Sequence, residues 1–233
     1  MTVSPDGKWL LVSSFLNNKI LRFALASGAF AGEVVGSSLL NGPNALLYAQ
    51  DGQLYVTTEG SKYEHGNLTY PYKSQILRLS KDEKEWEVFA DSPDPYASPN
   101  RIFSPNFLGL AKSNTPSDGL LWVTDFSNGI LAFDLQSKHM ISRIETSFTG
   151  IPSSNGLGSL VFERGNAQNQ YSILTPAFLP LEGNTGCILR STFNATSAMS
   201  TTKPSFAVPL YSAPLKKPIN IIKYSPIRPH RAA

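Results

Sequence analysis

The chain has 233 residues, of which 41% are hydrophobic and 16% are charged, so it can bury a core and is not a disordered protein. Of its 20 Lys and Arg, five lie in residues 211–233, where there is no acidic residue, and the other 15 are balanced by 17 Asp and Glu. This distribution gives no clustered basic face for nucleic acid. The single cysteine, Cys187, excludes an internal disulfide and a thiolate metal site, and no apolar run reaches the ~18 residues of a membrane helix.

One phrase recurs along the chain: an Asp-Gly turn, an apolar strand with a polar end, and a second strand that begins with Ile-Leu. Asp-Gly between two apolar segments is a strong signal for a β-hairpin. The Ile-Leu pairs begin at Ile20, Ile76, Ile130 and Ile188, which are 56, 54 and 58 residues apart, and the fourth copy is the most degenerate. Self-similarity at this period, with several strands in each repeat, indicates an array of β-propeller blades.

Four antiparallel strands are predicted in each blade, A innermost and D outermost. Blade one (1–40) is predicted to have B at 9–14, C at 19–25 and D at 33–36, without a strand A, because only five residues precede its Asp-Gly turn. The predicted strands A to D are 45–49, 53–58, 75–80 and 86–90 in blade two (41–92); 108–112, 120–124, 129–134 and 139–145 in blade three (104–147); and 158–163, 171–175, 187–193 and 205–210 in blade four (155–210).

Residues 1–210 are therefore predicted to form the propeller, and 211–233 a Pro-rich basic tail. The predicted fold is all-β, with about four blades of four antiparallel strands. Closed propellers have roughly four to eight blades, and six blades of this length need ~330 residues. We therefore expect an incomplete six-bladed propeller.

Polar residues recur at the two strand ends that share a rim of the propeller. An Asn precedes strand A in three blades (Asn44, Asn106 and Asn155), and Glu59 and Asp125 follow strand B. Because A and B are antiparallel, these five side chains are expected to converge near the central channel. Amide and carboxylate oxygens suit Ca²⁺ or another divalent cation, which could activate water with Asp125 and Glu59 as catalytic groups. Alternatively, the Asn side chains stabilise turns and the carboxylates are solvated.

The insert at 60–74 joins strands B and C of blade two and is expected on the same rim. Its aromatic residues, Tyr63, His65, Tyr70 and Tyr72, are candidates for a wall of a ligand-binding site. The alternative is an ordinary surface loop whose aromatic side chains bind nothing. The histidines form no zinc pattern, and the chain has neither a G-x-S-x-G elbow nor a P-loop.

The segments PNALLYAQDGQLYVTTEG and DGLLWVTDFSNGILAFDL resemble the NHL-repeat and gluconolactonase (regucalcin-like) propellers, which are six-bladed and TolB-like. The resemblance covers about residues 3–164. A resemblance to the lactonase branch implies a divalent cation near the channel, bound by a Glu, by Asn residues and by an Asp that also serves as the base. Asn44 and Asn155 match the family's asparagines and Asp125 follows the V-T-D phrase, whereas Glu59 is one residue out of register with Asp125.

Two functions remain open at this point. The first is an NHL-like scaffold whose channel face and rim loops recognise a small molecule or a protein. The second is a metal-dependent hydrolase of lactones or esters. Neither a nucleic-acid partner nor a membrane span is expected. The N-terminal residues do not form a signal peptide, so an extracellular location is expected only for a chain with a longer N-terminus.

Overall fold

The computed structural model describes residues 1–49, 52–91, 105–110, 119–125, 129–145, 157–164, 170–179, 185–194, 205–206 and 208–211. Apart from a 3₁₀ turn at Phe15–Asn17, its regular elements are strands. None of the helical structure in these ranges is long and apolar enough to cross a membrane.

Four successive sheets of antiparallel strands follow one another along the chain. Blade one contains β1 (Thr2–Val3), β2 (Trp9–Ser14), β3 (Lys19–Ala24) and β4 (Phe30–Glu33); blade two contains β5 (Pro43–Tyr48), β6 (Leu54–Thr58), a small hairpin of β7 (Lys62–Glu64) and β8 (Asn67–Thr69), β9 (Gln75–Leu79) and β10 (Trp86–Asp91). Blade three contains β11 (Pro105–Leu110), β12 (Leu120–Asp125), β13 (Gly129–Asp134) and β14 (Met140–Glu145). Blade four contains β15 (Val161–Arg164), β16 (Gln170–Leu179), β17 (Thr185–Asn194) and β19 (Val208–Tyr211), and the short β18 (Ser205–Phe206), which lies between β17 and β19 in the chain, belongs to the sheet of blade three. The predicted fold class, an all-β propeller of four-stranded antiparallel blades, is confirmed.

Hydrophobic clusters join each blade to the next. Side chains alternate between the two faces of a strand, and in a propeller both faces are covered, which is why these strands read as nearly continuous apolar runs. The clusters contain Leu11, Ile20, Val56 and Leu77 between blades one and two; Tyr55, Ile76, Leu121 and Leu131 between blades two and three; and Trp122, Ile130, Leu157 and Ile173 between blades three and four. Among the residues described, no such cluster joins blade four to blade one.

The prediction that blade one lacks an inner strand is wrong. The two residues of β1 pair with β2, Thr2 opposite Leu11 and Val3 opposite Leu10. Two residues are enough to form the ladder, because the Asp-Gly turn places them directly beside the following strand; Gly7 takes the positive φ of +70° that this turn needs.

The outer edge of blade four also differs from the prediction of one strand at 205–210. Ser205–Phe206 instead pairs in parallel with β14, which makes the sheet of blade three five-stranded. Val208–Tyr211 then pairs with β17 as the outer strand of blade four. Pro209 is compatible with this position because an edge strand leaves one side of its backbone without ladder bonds.

The inner strands of blades two and three begin earlier than predicted, at Pro43 and Pro105. Each has a register shift within its first four residues, between Pro43 and Leu46 and between Pro105 and Leu108. A β-bulge of this kind bends the strand and redirects its side chains. Asn44 therefore lies inside such an irregularity and not in a preceding loop.

Candidate functional site

Three of the predicted rim residues are joined by hydrogen bonds. Asn44 donates both hydrogens of its amide, through Nδ2, to Glu59 Oε1 at 3.0 Å and to Asn106 Oδ1 at 2.7 Å. Asn106 in turn donates from Nδ2 to the carbonyl oxygen of Leu157 at 2.8 Å. The bulged starts of β5 and β11 thus bring Asn44, Glu59 and Asn106 together, and this chain of contacts links blades two, three and four.

Hydroxyl groups make a second set of links between blades, which the sequence analysis missed. Ser13 Oγ donates to the Asn44 carbonyl at 2.5 Å, and Thr57 Oγ1 donates to the Asn106 carbonyl at 3.0 Å. Thr57 also accepts from the backbone N–H of Ala45 at 2.9 Å. The available signal was the recurring Val-Ser or Val-Thr pair at the end of strand B, at positions 12–13, 56–57 and 123–124.

Glu59 is the titratable group of this network. Burial raises the pKa of the Glu59 carboxyl above its ordinary value of 4.5, and the hydrogen bond from Asn44 opposes this by favouring the ionised form. Burial is the larger effect, so the folded protein holds the Glu59 proton more tightly than the unfolded chain does.

Glu59→Gln is expected to change how stability depends on pH. Stability from protonated Glu59 is complete below about pH 4.5 and is lost as pH rises through the raised pKa of the folded state. The Gln variant should therefore unfold at a higher temperature than the wild type at pH 8, and the difference should shrink towards pH 4. Thermal melts from pH 4 to pH 8 measure this difference in melting temperature, and Glu64→Gln, at an exposed position, is the matched control. The expectation is contradicted if Glu59→Gln gains less over the wild type at pH 8 than at pH 4.

The two predicted catalytic carboxylates occupy non-equivalent positions. Asp125 is completely buried at the end of β12, in register with Pro105 and Gly129. By strand alternation it lies on the face that carries Leu121 and Val123 and packs against blade two. In the repeat its counterpart is Thr58, whereas Glu59 comes one residue later. Asn155 lies outside the described residues.

The hydrogen bonds among Asn44, Glu59 and Asn106 show how these side chains would have to change to bind a cation. Nδ2 of Asn44 lies between Glu59 Oε1 and Asn106 Oδ1, where a shared cation would have to bind. An amide N–H repels a cation, so binding there requires the Asn44 amide to turn its oxygen inward. In the described part of the chain, no three His, Cys, Asp or Glu side chains form a cluster that could hold a metal ion.

The insert of blade two projects from the protein as a hairpin. Residues 63–73 are all exposed, including Tyr63, His65, Tyr70 and Tyr72. Tyr63 lies opposite Leu68 across the β7–β8 pair, so both large apolar side chains share one face of the hairpin. His65 and the following glycine form the tip, both with positive φ.

The root of this hairpin is fixed by backbone contacts. The N–H of Gly60 donates to the Asn41 carbonyl at 2.9 Å, and the N–H of Tyr72 donates to the Gly60 carbonyl at 3.1 Å. Ser74 Oγ donates to the Glu59 carbonyl at 3.1 Å. The exposed aromatic segment is therefore held at a defined place on the rim, next to Glu59.

Comparisons with known proteins find similarity in solved structures alone: neither a protein-family model nor a curated protein matches. The hydrazine synthase of Kuenenia stuttgartiensis is 14% identical, with a TM-score of 0.43 over 89% of this chain and 64% of that one. An inactive virginiamycin B lyase from Staphylococcus aureus, solved with quinupristin, is 18% identical, with a TM-score of 0.47 over 83% and 54%. A chain of the nidogen/laminin complex is 11% identical, with a TM-score of 0.48 over 84% and 75%.

This chain therefore spans less than two thirds of the hydrazine synthase and lyase chains. Because every one of these TM-scores is below 0.5 and every identity is 18% or less, the similarities assign no activity to this chain. Its own four successive antiparallel sheets, packed through shared hydrophobic clusters, define its class as that of the β-propellers.

Proposed function

We propose that this propeller is an NHL-like binding scaffold that recognises a protein partner through the hairpin of blade two. The observation that carries the proposal is a run of eleven exposed residues, 63–73, which holds three tyrosines and Leu68 on a fixed root. Large aromatic side chains that remain exposed on an ordered element are typical of protein interfaces.

The side chains of the hairpin have the chemistry of a contact surface. Tyr63 and Leu68 form an apolar pair across the two strands, and Tyr70 and Tyr72 follow on the segment that returns to the blade. Tyrosine gives a large apolar area and a hydroxyl at a small cost in side-chain entropy. The exposed Lys62–Glu64 ion pair, 2.8 Å between Nζ and Oε1, adds a polar border.

The shape of the insert favours a protein over a small molecule. Small ligands bind in concave sites that bury most of their surface. The hairpin offers no such enclosure, because residues 63–73 are all exposed, but it can lie against a groove or an exposed strand of another protein.

Peptide selection tests the proposal. We expect a phage-displayed random peptide library to yield ligands for the full chain, and Tyr63→Ser and Tyr70→Ser to raise their Kd at least about tenfold, which is 1.4 kcal/mol. Fluorescence anisotropy measures the Kd. Leu25→Ser is the matched control, because Leu25 is similarly exposed but lies in the β3–β4 turn of blade one. Ligands that bind the tyrosine variants as tightly as wild type would refute the hairpin as the binding site.

The alternative function is a hydrolase of lactones or related esters that depends on Ca²⁺ or another divalent cation. Its support is that Asn44, Glu59 and Asn106 lie together, so that two amide groups and one carboxylate are available to a divalent cation. In this alternative Asp125 would be the second carboxylate of the site. A cation at 100 times its Kd should raise the free energy of unfolding by ~2.7 kcal/mol. A melting temperature that rises with millimolar Ca²⁺, Mn²⁺ or Mg²⁺, and loses this rise in Asp125→Asn, would favour the hydrolase.

A further inference from the structure

Glu59 lies at the root of the hairpin as a carboxyl group without a cation beside it. Its side chain is partly buried, and none of the ion pairs among the described residues includes it. Burial raises the pKa of the Glu59 carboxyl, and the hydrogen bond from Asn44 offsets only part of that effect. A positive charge brought to this carboxylate would therefore meet a group that lacks the partner that its burial favours.

The lysines of the hairpin do not supply this positive charge, because both have acidic partners of their own. Lys62 Nζ lies 2.8 Å from Glu64 Oε1. Lys73 Nζ lies 3.6 Å from Asp91 Oδ2. Among the lysine and acidic side chains of the hairpin and its root, Glu59 is thus left without an opposite charge from the described part of the chain.

Two oxygen atoms at this place accept no hydrogen bond from the described residues. Asn44 uses Nδ2 for both of its side-chain hydrogen bonds, and Glu59 receives one of them at Oε1. Asn44 Oδ1 and Glu59 Oε2 therefore remain as acceptors within one hydrogen-bonded pair of side chains. The guanidinium of arginine carries several N–H donors in one plane and matches such acceptors better than the compact ammonium of lysine does.

Two tyrosines lie on the segment that returns to this root. The N–H of Tyr72 donates to the carbonyl of Gly60, which directly follows Glu59 in the chain. Tyr70 is 61% and Tyr72 46% exposed. Guanidinium groups stack on the faces of aromatic rings. One short segment therefore combines a carboxylate with exposed rings, and both favour an arginine side chain.

We propose that the protein segment recognised by the hairpin carries an arginine that forms an ion pair with Glu59 and packs against Tyr70 and Tyr72. This inference rests on the proposed function and specifies the chemistry of the partner. The arginine supplies the positive charge that the chain itself does not place beside Glu59. An acidic segment would instead bring a like charge to this carboxylate, so the same group selects against acidic partners.

A double-mutant cycle on a selected peptide tests this pairing. We expect the peptides to contain an arginine, and its replacement by glutamine to raise the Kd for the wild-type chain at least about tenfold. Glu59→Gln, which keeps an oxygen for the hydrogen bond from Asn44, should raise the Kd of the original peptide similarly. The two changes together should weaken binding little more than either one alone, because both remove the same interaction. Fluorescence anisotropy measures each Kd.

Glu85→Gln is the matched control for the substitution of Glu59. Glu85 is exposed in the β9–β10 turn of the same blade, at the end of β9 that lies away from the hairpin. The control removes the same charge from the protein and should leave the Kd unchanged. Equal losses of affinity in Glu85→Gln and Glu59→Gln would show a general effect of net charge and overturn the pairing.

The outcomes separate this inference from the proposed function. Peptides that lose affinity in Tyr63→Ser and Tyr70→Ser, yet lack an arginine and bind Glu59→Gln as tightly as wild type, would overturn the inference and leave the hairpin as the binding site. Effects of the two changes in the cycle that simply add would also overturn the pairing with Glu59. Peptides that bind both tyrosine variants as tightly as wild type would overturn the proposed function and this inference together.

Discussion

Gly60→Ala is expected to lower the free energy of unfolding by about 3 kcal/mol and to displace the hairpin from the rim. Gly60 has a φ of +72°, a conformation that costs residues with a Cβ roughly 1–2 kcal/mol. An added Cβ would also lie 2.8 Å from the carbonyl carbon of Tyr72 and in closer contact with its oxygen. Because these atoms are backbone, the returning segment has to move. Urea denaturation measures the free energy of unfolding. The Kd of the selected peptides reports whether the hairpin keeps its place.

Gly66→Ala is the matched control for this substitution. Gly66 lies at the tip of the same hairpin with a φ of +83°, but an added Cβ would meet no atom within 4 Å. Gly66→Ala therefore has the conformational cost alone, roughly 1–2 kcal/mol, and should weaken peptide binding less than Gly60→Ala does. If the two alanine variants lost equal stability and bound peptide equally, the close contact of Gly60 with Tyr72 would not hold the hairpin.

Trp122→Ala is expected to have the largest effect on stability, about 3–5 kcal/mol. Trp122 is completely buried in β12, within the cluster that joins blades three and four. Its ring lies 6.1 Å from that of Phe162, and Leu157 and Ile173 complete the contact. Removing the indole leaves a cavity between two sheets, which cannot close without moving one blade relative to the other.

The loss from Trp122→Ala should appear as a lower urea midpoint, and a separate early transition would report blade four detaching first. Leu68→Ala, an exposed apolar truncation on the hairpin, is the control and should cost less than about 0.5 kcal/mol. A Trp122→Ala variant as stable as this control would mean that blades three and four do not pack through Trp122.

The sequence predicts the blades well because their signals are local and repeated. The strands on either side of each Asp-Gly pair form an antiparallel ladder. The Ile-Leu pairs fall at equivalent places in the sheets, and Ile20, Ile76 and Ile130 are all completely buried between blades. Strand ends are less well predicted. The bulge after Pro43 and the two-residue strand β1 depend on pairing partners that a local pattern does not specify.

The direction of a polar side chain was harder to predict than its location. The sequence predicts Asn44 and Glu59 on one rim, and the two side chains are hydrogen-bonded to each other. An amide can present either its oxygen or its N–H groups, and the sequence does not say which. Here a carboxylate and the Oδ1 of Asn106 face the Asn44 amide, which selects its N–H groups. The links made by Ser13 and Thr57 depend on carbonyls of the next blade, about 30 to 50 residues away in sequence, and no local pattern reports such partners.

Hydrogen–deuterium exchange of the full chain, with and without the tightest peptide from the selection, tests the proposed binding site most directly. We expect the peptide to slow exchange of backbone amides within 60–74 and to leave the strands of blade four unchanged, because a bound partner protects the amides that it covers. Slower exchange around Asn44 and Asn106, with the hairpin unchanged, would contradict the hairpin as the recognition surface and place binding at the inner rim.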